Sequence, residues 1–265
     1  VAPSGAWDPS GYLRFAGERA RPFADLLARV DARAPSVVVD LGCGEGALTA
    51  SLADHWPGAV VTGVDSSAEM LAAAAAHARP GRVGFVRADV RDWRPDAPVD
   101  VLVTNAVLHW VPGHAALLRR WAADLAPGGW LALQVPGNQA APTHVLLAGL
   151  CRSPRWAGRL AGAAPAADAV LDPAGYLGVL EEAGLAAEAW ETTYLHVLTG
   201  ADPVLAWVRS TVLRPVLARL ADDDAAELTA AYAALLREAY PRRPDGTTLL
   251  PFRRVFAVAQ AGTSR

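Results

Sequence analysis

The chain contains no lysine and no isoleucine in 265 residues, so all 24 of its basic side chains are arginines. Coding bias is the first reading of that, but it leaves every positive group a fixed, permanently charged fork of donors. Cysteine is almost absent too. Cys43 and Cys151 are the only two, which excludes a disulfide framework and any cysteine-rich metal site. No apolar run reaches the ~18 residues of a membrane span. Positive charge is not in excess: 24 bases against 27 acids give −3, so there is no footprint for a phosphate backbone and nucleic acid is excluded as a main partner. The opening Val1–Asp8 lacks the basic and apolar regions of a signal peptide, and a cytoplasmic location is expected. What is plentiful is apolar surface. At 52% apolar with nine Trp, the chain is no disordered polymer, and its length suits one large domain spanning 1–265.

The order of elements is regular over the first half. Residues 19–33 read as an amphipathic helix, with Phe23, Leu26, Leu27 and Val30 at helical spacing. Short β-branched runs follow at 37–41, 60–64, 83–86, 99–104 and 130–135, the last after the turn Pro127-Gly128-Gly129. Helical stretches at 46–56, 67–79 and 114–125 separate them. This alternation predicts an α/β fold, a doubly wound and mostly parallel sheet covered on both faces. After Pro136 the pattern loosens: helical pieces over 139–170, a helix at 173–183, a strand at 188–197, a long helical segment at 203–240 broken near Pro215 and Asp222–Asp224, and a last strand at 252–259. The reading divides the chain into an amino-terminal segment 1–34, a cofactor core 35–136, and mostly helical insertions at 137–187 and 200–248.

Chemistry enters at Asp40-Leu41-Gly42-Cys43-Gly44-Glu45-Gly46, a glycine-rich turn between a strand and a helix. Glycine admits positive φ and lets a ligand approach the backbone, and the helix start behind it offers unpaired N–H groups. Such a turn at the carboxyl end of a strand is the nucleotide end of a doubly wound sheet. Gly42-x-Gly44-x-x-Ala47 also satisfies the dinucleotide fingerprint, which keeps an NAD-dependent oxidoreductase open. Three acids favour S-adenosylmethionine instead. Asp40 before the turn opposes a pyrophosphate and suits a cationic methionine moiety. Asp65, with Ser66 beside it, ends the second strand where two ribose hydroxyls would lie. Asp89, followed by Val90, sits after the third strand where an adenine amino group would lie. Met70 falls one turn into the next helix and can line the adenine slot, or be plain core. Asn105 ends the fourth strand beside the methyl donor's expected place.

Segments outside these motifs narrow the reading. Trp7-Asp8-Pro9-Ser10-x-Tyr12-Leu13-x-Phe15-Ala16-x-Glu18-Arg19-x-Arg21-Pro22, Asn105-Ala106-x-Leu108-x-Trp110, Pro142-Thr143-His144, Trp190-x-Thr192-Thr193-Tyr194-x-His196, Leu213-Arg214-Pro215, Tyr240-Pro241 and Leu249-Leu250-x-Phe252 with Arg254-x-Phe256 run through nearly the whole chain. Together they resemble the trans-aconitate 2-methyltransferase family, within the class I S-adenosylmethionine-dependent methyltransferases. The resemblance implies a seven-stranded Rossmann-like sheet with a helical insertion between the last two strands. It implies that Asp40, Gly42, Gly44, Asp65, Asp89 and Asn105 carry the cofactor; Cys43, Ser66, Met70 and Val90 line the same crevice in our reading. It further implies that the amino-terminal segment lies over the site.

The implied reaction moves a methyl group from a sulfonium to a carboxylate oxygen. A carboxylate with a pKa near ~4 is already an anion, so no general base is required and positioning is the whole task. Asn105 and His109 are the positioning candidates. A polycarboxylate needs cationic receptors, and arginine binds a carboxylate through two parallel hydrogen bonds. Arg19, Arg21, Arg214, Arg253 and Arg254 are available. Adjacent strand residues face opposite ways, so at most one of Arg253 and Arg254 points to the pocket; the resemblance selects Arg254. Tyr12 and Trp110, with Phe15, are expected as aromatic walls, and His144 and Tyr194 as further substrate contacts. Other readings stay open here: another small-molecule acceptor, the oxidoreductase, or a non-catalytic cofactor binder whose helical block docks a protein. No metal is expected, and nothing in the pattern speaks to oligomeric state.

Overall fold

A computed structural model describes residues 16–166, 169–209 and 211–263, with side chains from Ala20 onward. Its elements in chain order are α1 (Ala16–Leu27), β1 (Val37–Leu41), α2 (Ala47–His55), β2 (Val60–Asp65), α3 (Ala68–Ala74), β3 (Val83–Arg87), β4 (Val99–Asn105), α4 (His114–Ala123), β5 (Leu125–Pro136), α5 (Pro142–Arg152), α6 (Pro173–Glu182), β6 (Ala186–Leu198), α7 (Pro203–Arg209), α8 (Arg214–Leu217), α9 (Asp222–Ala239) and β7 (Thr248–Gln260). Seven strands form one sheet in the order β3-β2-β1-β4-β5-β7-β6. The first five are parallel. β7 runs antiparallel between β5 and β6. The chain winds outward from β1 in one direction, then restarts at β4 on β1's other side. That reversal opens a crevice beyond the carboxyl ends of β1 and β4.

Apolar side chains cover both faces. On one, Phe23, Leu26, Leu27 and Val30 pack on Val38, Val103, Ala132 and Phe256. On the other, Trp121, Leu118, Tyr176 and Leu180 pack on Val39, Leu102, Leu133 and Val255. A third core, built from α5 and α7–α9 around Trp207, Leu213, Tyr232 and Leu250, lies in the helical block before β7. Among the described residues no helix is long and apolar enough to cross a membrane.

Several boundaries differ from the sequence reading, each for a local reason. The helix expected over 19–33 ends at Leu27, because Arg29 and Val30 donate to Leu26 and Leu27, the i→i+3 bonds of a tightened last turn. Val30 is still buried, so the apolar period outlives the helix. The helix expected at 67–79 stops at Ala74 and continues as a 3₁₀ turn to His77. The fifth strand starts at Leu125 rather than 130: Val99 pairs with Leu125 and Val101 with Trp130, so the Pro127–Gly129 turn is a bulge inside the strand. The long segment 203–240 is three helices, with Pro215 in the first turn of α8 and Asp222–Asp224 in the first turn of α9, where acids suit the helix dipole.

Candidate active site

The glycine turn after β1 is held mainly by hydrogen bonds to the end of β2. The N–H groups of Gly42 and Cys43 donate to the Val64 carbonyl at 2.7 and 3.0 Å, and that of Gly46 to Cys43 at 3.1 Å. Gly44 donates to Asp65 Oδ2 at 3.0 Å, while Asp65 Oδ1 accepts from Ser67 N at 2.8 Å. Three of these donors are spent on β2 and that of Gly46 within the turn, so a pyrophosphate would find few of them free; this weighs against the dinucleotide reading. The glycines differ in purpose. A Cβ on Gly42, at φ +81°, would meet Val107 Cγ2 at 2.1 Å, whereas a Cβ on Gly44, at φ +55°, would meet nothing within 4 Å. Gly42 admits a packed neighbour; Gly44 borders open space. Gly42→Ala is therefore expected to lower stability by about 2–4 kcal/mol, overpacking added to backbone strain, measured by thermal unfolding.

Asp40 is 4% exposed and accepts from Thr49 Oγ1 at 2.6 Å, which ties α2 to β1. Burial pushes its carboxyl up to about 6, against the Thr49 hydrogen bond and with help from Asp65. The same burial, with Asp40 and Asp65 nearby, pushes the Cys43 thiol up, so it stays protonated. Asp89 reaches the end of β3 as expected, but its carboxylate is already gripped. Arg91 donates from its backbone N and from Nε to Oδ1, both at 2.9 Å, and from Nη2 to Oδ2 at 2.6 Å, which holds Asp89 down near 2. Oδ1 already takes two donors and Oδ2 one, so an adenine amino group would have to share Oδ2 with Arg91. Ser66 is exposed, Met70 half-buried in α3, and Val90 buried.

A polar row crosses the sheet from this turn toward β7. Asp40 is the register partner of Val103, and Asn105 of Gln134; Gln134 is the partner of Phe256, two residues from Arg254. Register partners and residues two apart share a face, so Asp40, Asn105, Gln134 and Arg254 all stand on the side that α1 covers. Arg254 is 6% exposed and donates from Nη1 to Gln134 Oε1 at 3.3 Å, its guanidinium 4.7 Å from the Phe252 ring centre. Arg253 faces the other way, onto Glu191 at 2.5 Å and the Gly137 carbonyl at 3.1 Å. Asn138 exchanges two hydrogen bonds with the Arg253 backbone, at 2.9 and 3.1 Å, and so fixes this stretch of β7.

Two histidines meet the row. His109, in the 3₁₀ turn Leu108–Trp110 after β4, is pushed down to about 3 by burial and by the nearby Arg254, His144 and His114. His144 is pushed down to about 4 by burial. Both are neutral. His144 is placed by the helical block, since the preceding Thr143 gives its carbonyl to Tyr232 Oη at 2.5 Å and its N–H to Tyr240 Oη at 3.3 Å. The turn carrying His109 begins at Ala106, a non-glycine at φ 57°, whose N–H donates to the Gln134 carbonyl at 2.8 Å. Strain of this kind persists where the surroundings over-determine it, and it is common at functional sites. Among the described residues, Asn105 Oδ1, His109 Nδ1 and Gln134 Nε2 are buried with no hydrogen-bond partner.

Not every expected contact reaches this row. Tyr194 stands beside the row rather than in it: its hydroxyl donates to Asp25 Oδ2 on α1 at 2.6 Å, and Arg254 lies near enough to act on it electrostatically. Arg21 is exposed, its guanidinium 5.3 Å from the Tyr194 ring centre. Trp110 is 41% exposed and tilts against His109 with ring centres 4.6 Å apart. Arg214 opens α8, half-buried in the helical block. Tyr12 and Phe15, the expected cover over the site, lie outside the described residues, as does the Arg19 side chain. Gln134 was missed, although a polar residue inside the apolar run Trp130–Val135 is a signal in a strand covered on both faces.

Comparison with known proteins bears on the fold and the family. Residues 38–129 match a family model described as a methyltransferase domain. Among solved structures, the YcgJ protein from Bacillus subtilis superposes with TM-score 0.60 at 15% identity, over 92% of this chain and 99% of that one. A SAM-dependent methyltransferase from Thiobacillus denitrificans in complex with S-adenosyl-L-homocysteine superposes with TM-score 0.54 at 23% identity, over 96% and 99%. These establish the fold. Sequence relatives are nearer. Proteins named trans-aconitate 2-methyltransferase are 55% identical in Streptomyces avermitilis (96% of each chain), 52% in Rhodococcus jostii (96% of this chain, 99% of the relative) and 46% in Mycobacterium tuberculosis (98% of each). Identity at that level along nearly the whole length, on a methyltransferase sheet, makes this chain a member of the trans-aconitate 2-methyltransferase family.

Proposed function

We propose that the protein transfers a methyl group from S-adenosylmethionine to a carboxylate oxygen of trans-aconitate, or of a close small polycarboxylate, leaving the monomethyl ester. The observation that carries this is a buried arginine, Arg254, held by Gln134 on the sheet face that also carries Asp40 and Asn105, with the neutral His109 within range of its charge. When bound, the cofactor supplies an electrophilic methyl carbon on a cationic sulfur. Asp40, Gly42, Cys43, Gly44, Asp65, Ser66, Met70, Asp89, Val90 and Asn105 would hold it. Asp65 would meet the ribose, Asp89 the adenine amino group, Asn105 Oδ1 a donor on the methionine portion. Open space beside Gly44 and the partnerless Asn105 oxygen support the fit.

The acid side falls to Arg254, His109, His144 and Trp110, with Arg214 as a second cation from the helical block. A carboxylate attacks as the anion it already is, so neutral histidines suit the chemistry: they hold hydrogen bonds rather than take protons. The pocket's work is to aim one carboxylate oxygen and keep water out. A cytoplasmic location matches a small metabolite as partner. Incubation with methyl-labelled S-adenosylmethionine and trans-aconitate should give a labelled monomethyl ester by mass spectrometry. Cofactor binding without any labelled ester would overturn the reading in favour of a non-catalytic binder or another acceptor.

Two further results follow from this arrangement. Gly44→Ala should fold, at a strain cost of about 1 kcal/mol, yet bind S-adenosylhomocysteine roughly tenfold more weakly in a calorimeter, because its methyl occupies the ligand's space. Asp40 gives a pH dependence. With its folded pKa raised to about 6, the neutral carboxyl is favoured; this contribution to stability is complete below the ordinary ~4 and is lost as pH rises through 6. A bound cation prefers the ionised carboxylate. S-adenosylmethionine affinity should therefore rise with pH through about 6, by up to ~tenfold per unit below it, and Asp40→Asn should flatten that slope.

A further inference from the structure

We propose that Gln134 is a substrate-positioning residue, presenting its amide N–H beside Arg254 so that one carboxylate of the acid accepts from both. The inference rests on the polycarboxylate reading above and extends it to a residue that no motif names.

The geometry assigns the amide's orientation. Arginine has donors only, so the Gln134 atom at 3.3 Å from Arg254 Nη1 must be the oxygen. The amide nitrogen then points away from the guanidinium. It is buried on a residue 1% exposed, and it has no partner among the described residues. Its register neighbour Asn105 also holds a buried, partnerless oxygen. A donor and an acceptor on paired residues that do not bond to each other are each aimed at a third group. A buried amide nitrogen left without an acceptor costs stability, and the fold keeps it all the same. The group that satisfies it is an acceptor, and a carboxylate drawn by Arg254 is the acceptor this pocket is charged to receive. Asn105 Oδ1 needs a donor, which a carboxylate is not, so the two amides divide the row into an anion side and a cation side.

Gln134 also sits where the two halves of the site are joined. Its carbonyl accepts the N–H of the strained Ala106, which follows Asn105, while its side chain braces Arg254. A glutamate of the same size keeps the brace but turns the presented donor into a repelling anion that also neutralises Arg254. A methionine keeps the volume and removes both amide atoms.

The test is steady-state kinetics of Gln134→Glu and Gln134→Met, with S-adenosylhomocysteine affinity measured alongside. We expect KM for trans-aconitate to rise about tenfold to a hundredfold in both. Cofactor Kd should stay within about twofold, and the Gln134→Met effect should largely vanish in an Arg254→Met background. Unchanged KM for the acid in a variant that still binds cofactor would overturn the proposal. So would cofactor Kd rising in step with KM, or strict additivity with Arg254→Met, since either marks a merely structural role. Wild-type protein is the control for the underlying reading: if it binds cofactor but neither binds nor methylates trans-aconitate or another polycarboxylate, that reading fails and this one falls with it.

Discussion

Arg254→Met is expected to lower kcat/KM for trans-aconitate by about two to three orders of magnitude, mostly through KM, while cofactor affinity changes by less than about threefold. The size comes from burial. Arg254 is 6% exposed, and its charge is held by the Gln134 oxygen and the Phe252 ring face. A carboxylate brought to a desolvated guanidinium gains far more than one meeting a surface arginine. Methionine keeps the volume, so the fold should survive the change. Arg254→Lys should recover only part of the loss, because an ammonium keeps the charge but not the planar fork. Arg253→Ala is the control. Its neighbouring guanidinium faces Glu191 at 2.5 Å on a half-exposed surface, where an ion pair contributes about 1 kcal/mol or less, and activity should barely move. Equal losses from Arg253 and Arg254 would remove the acid from the face assigned to it.

Asp65→Ala is expected to weaken S-adenosylmethionine binding by roughly a hundredfold or more and to lower the unfolding temperature as well. Both carboxylate oxygens are used by the fold. One accepts Gly44 N at 3.0 Å, holding the glycine turn; the other accepts Ser67 N at 2.8 Å, at the start of α3. Hydrogen bonds to a charged group contribute about 1.5–3 kcal/mol each, so removal loosens the crevice in addition to deleting the proposed ribose contact. Asp65→Asn separates the two parts. Its one remaining carbonyl oxygen can accept from one of the two N–H groups, so stability should recover more than affinity does. Calorimetric titration with S-adenosylhomocysteine and a thermal melt on both variants read out the split. Full cofactor affinity in the alanine variant would take Asp65 out of the site.

The cofactor end of the protein is legible in its sequence. β1, the glycine turn, Asp65 and Asp89 are local features: a β-branched run, glycines where φ is positive, and acids at strand ends, each within a few residues of the element that positions it. The acid end was harder. Strand alternation allowed only one of Arg253 and Arg254 to face the pocket, and it took the family resemblance to choose Arg254; the Tyr194 hydroxyl is committed to Asp25 on α1, more than a hundred residues away in the chain. Asp89 was placed correctly at the end of β3, while its grip by Arg91 depended on a side-chain rotamer that spacing does not encode. Gln134 looked like an interruption in an apolar strand until β7 brought Arg254 alongside it.

Hydrophobic period, turn residues and charge order alone were enough to determine a doubly wound sheet, the position of its crevice and the acidity of the crevice's cofactor end, because each depends on contacts between near neighbours in the chain. Tertiary packing decided which arginine is buried, which tyrosines are core, and that Asn105, Gln134 and Arg254 form one polar row. The physical reason is that the row crosses strands in the spatial order β1-β4-β5-β7, and side chains become neighbours there through sheet register rather than through sequence separation.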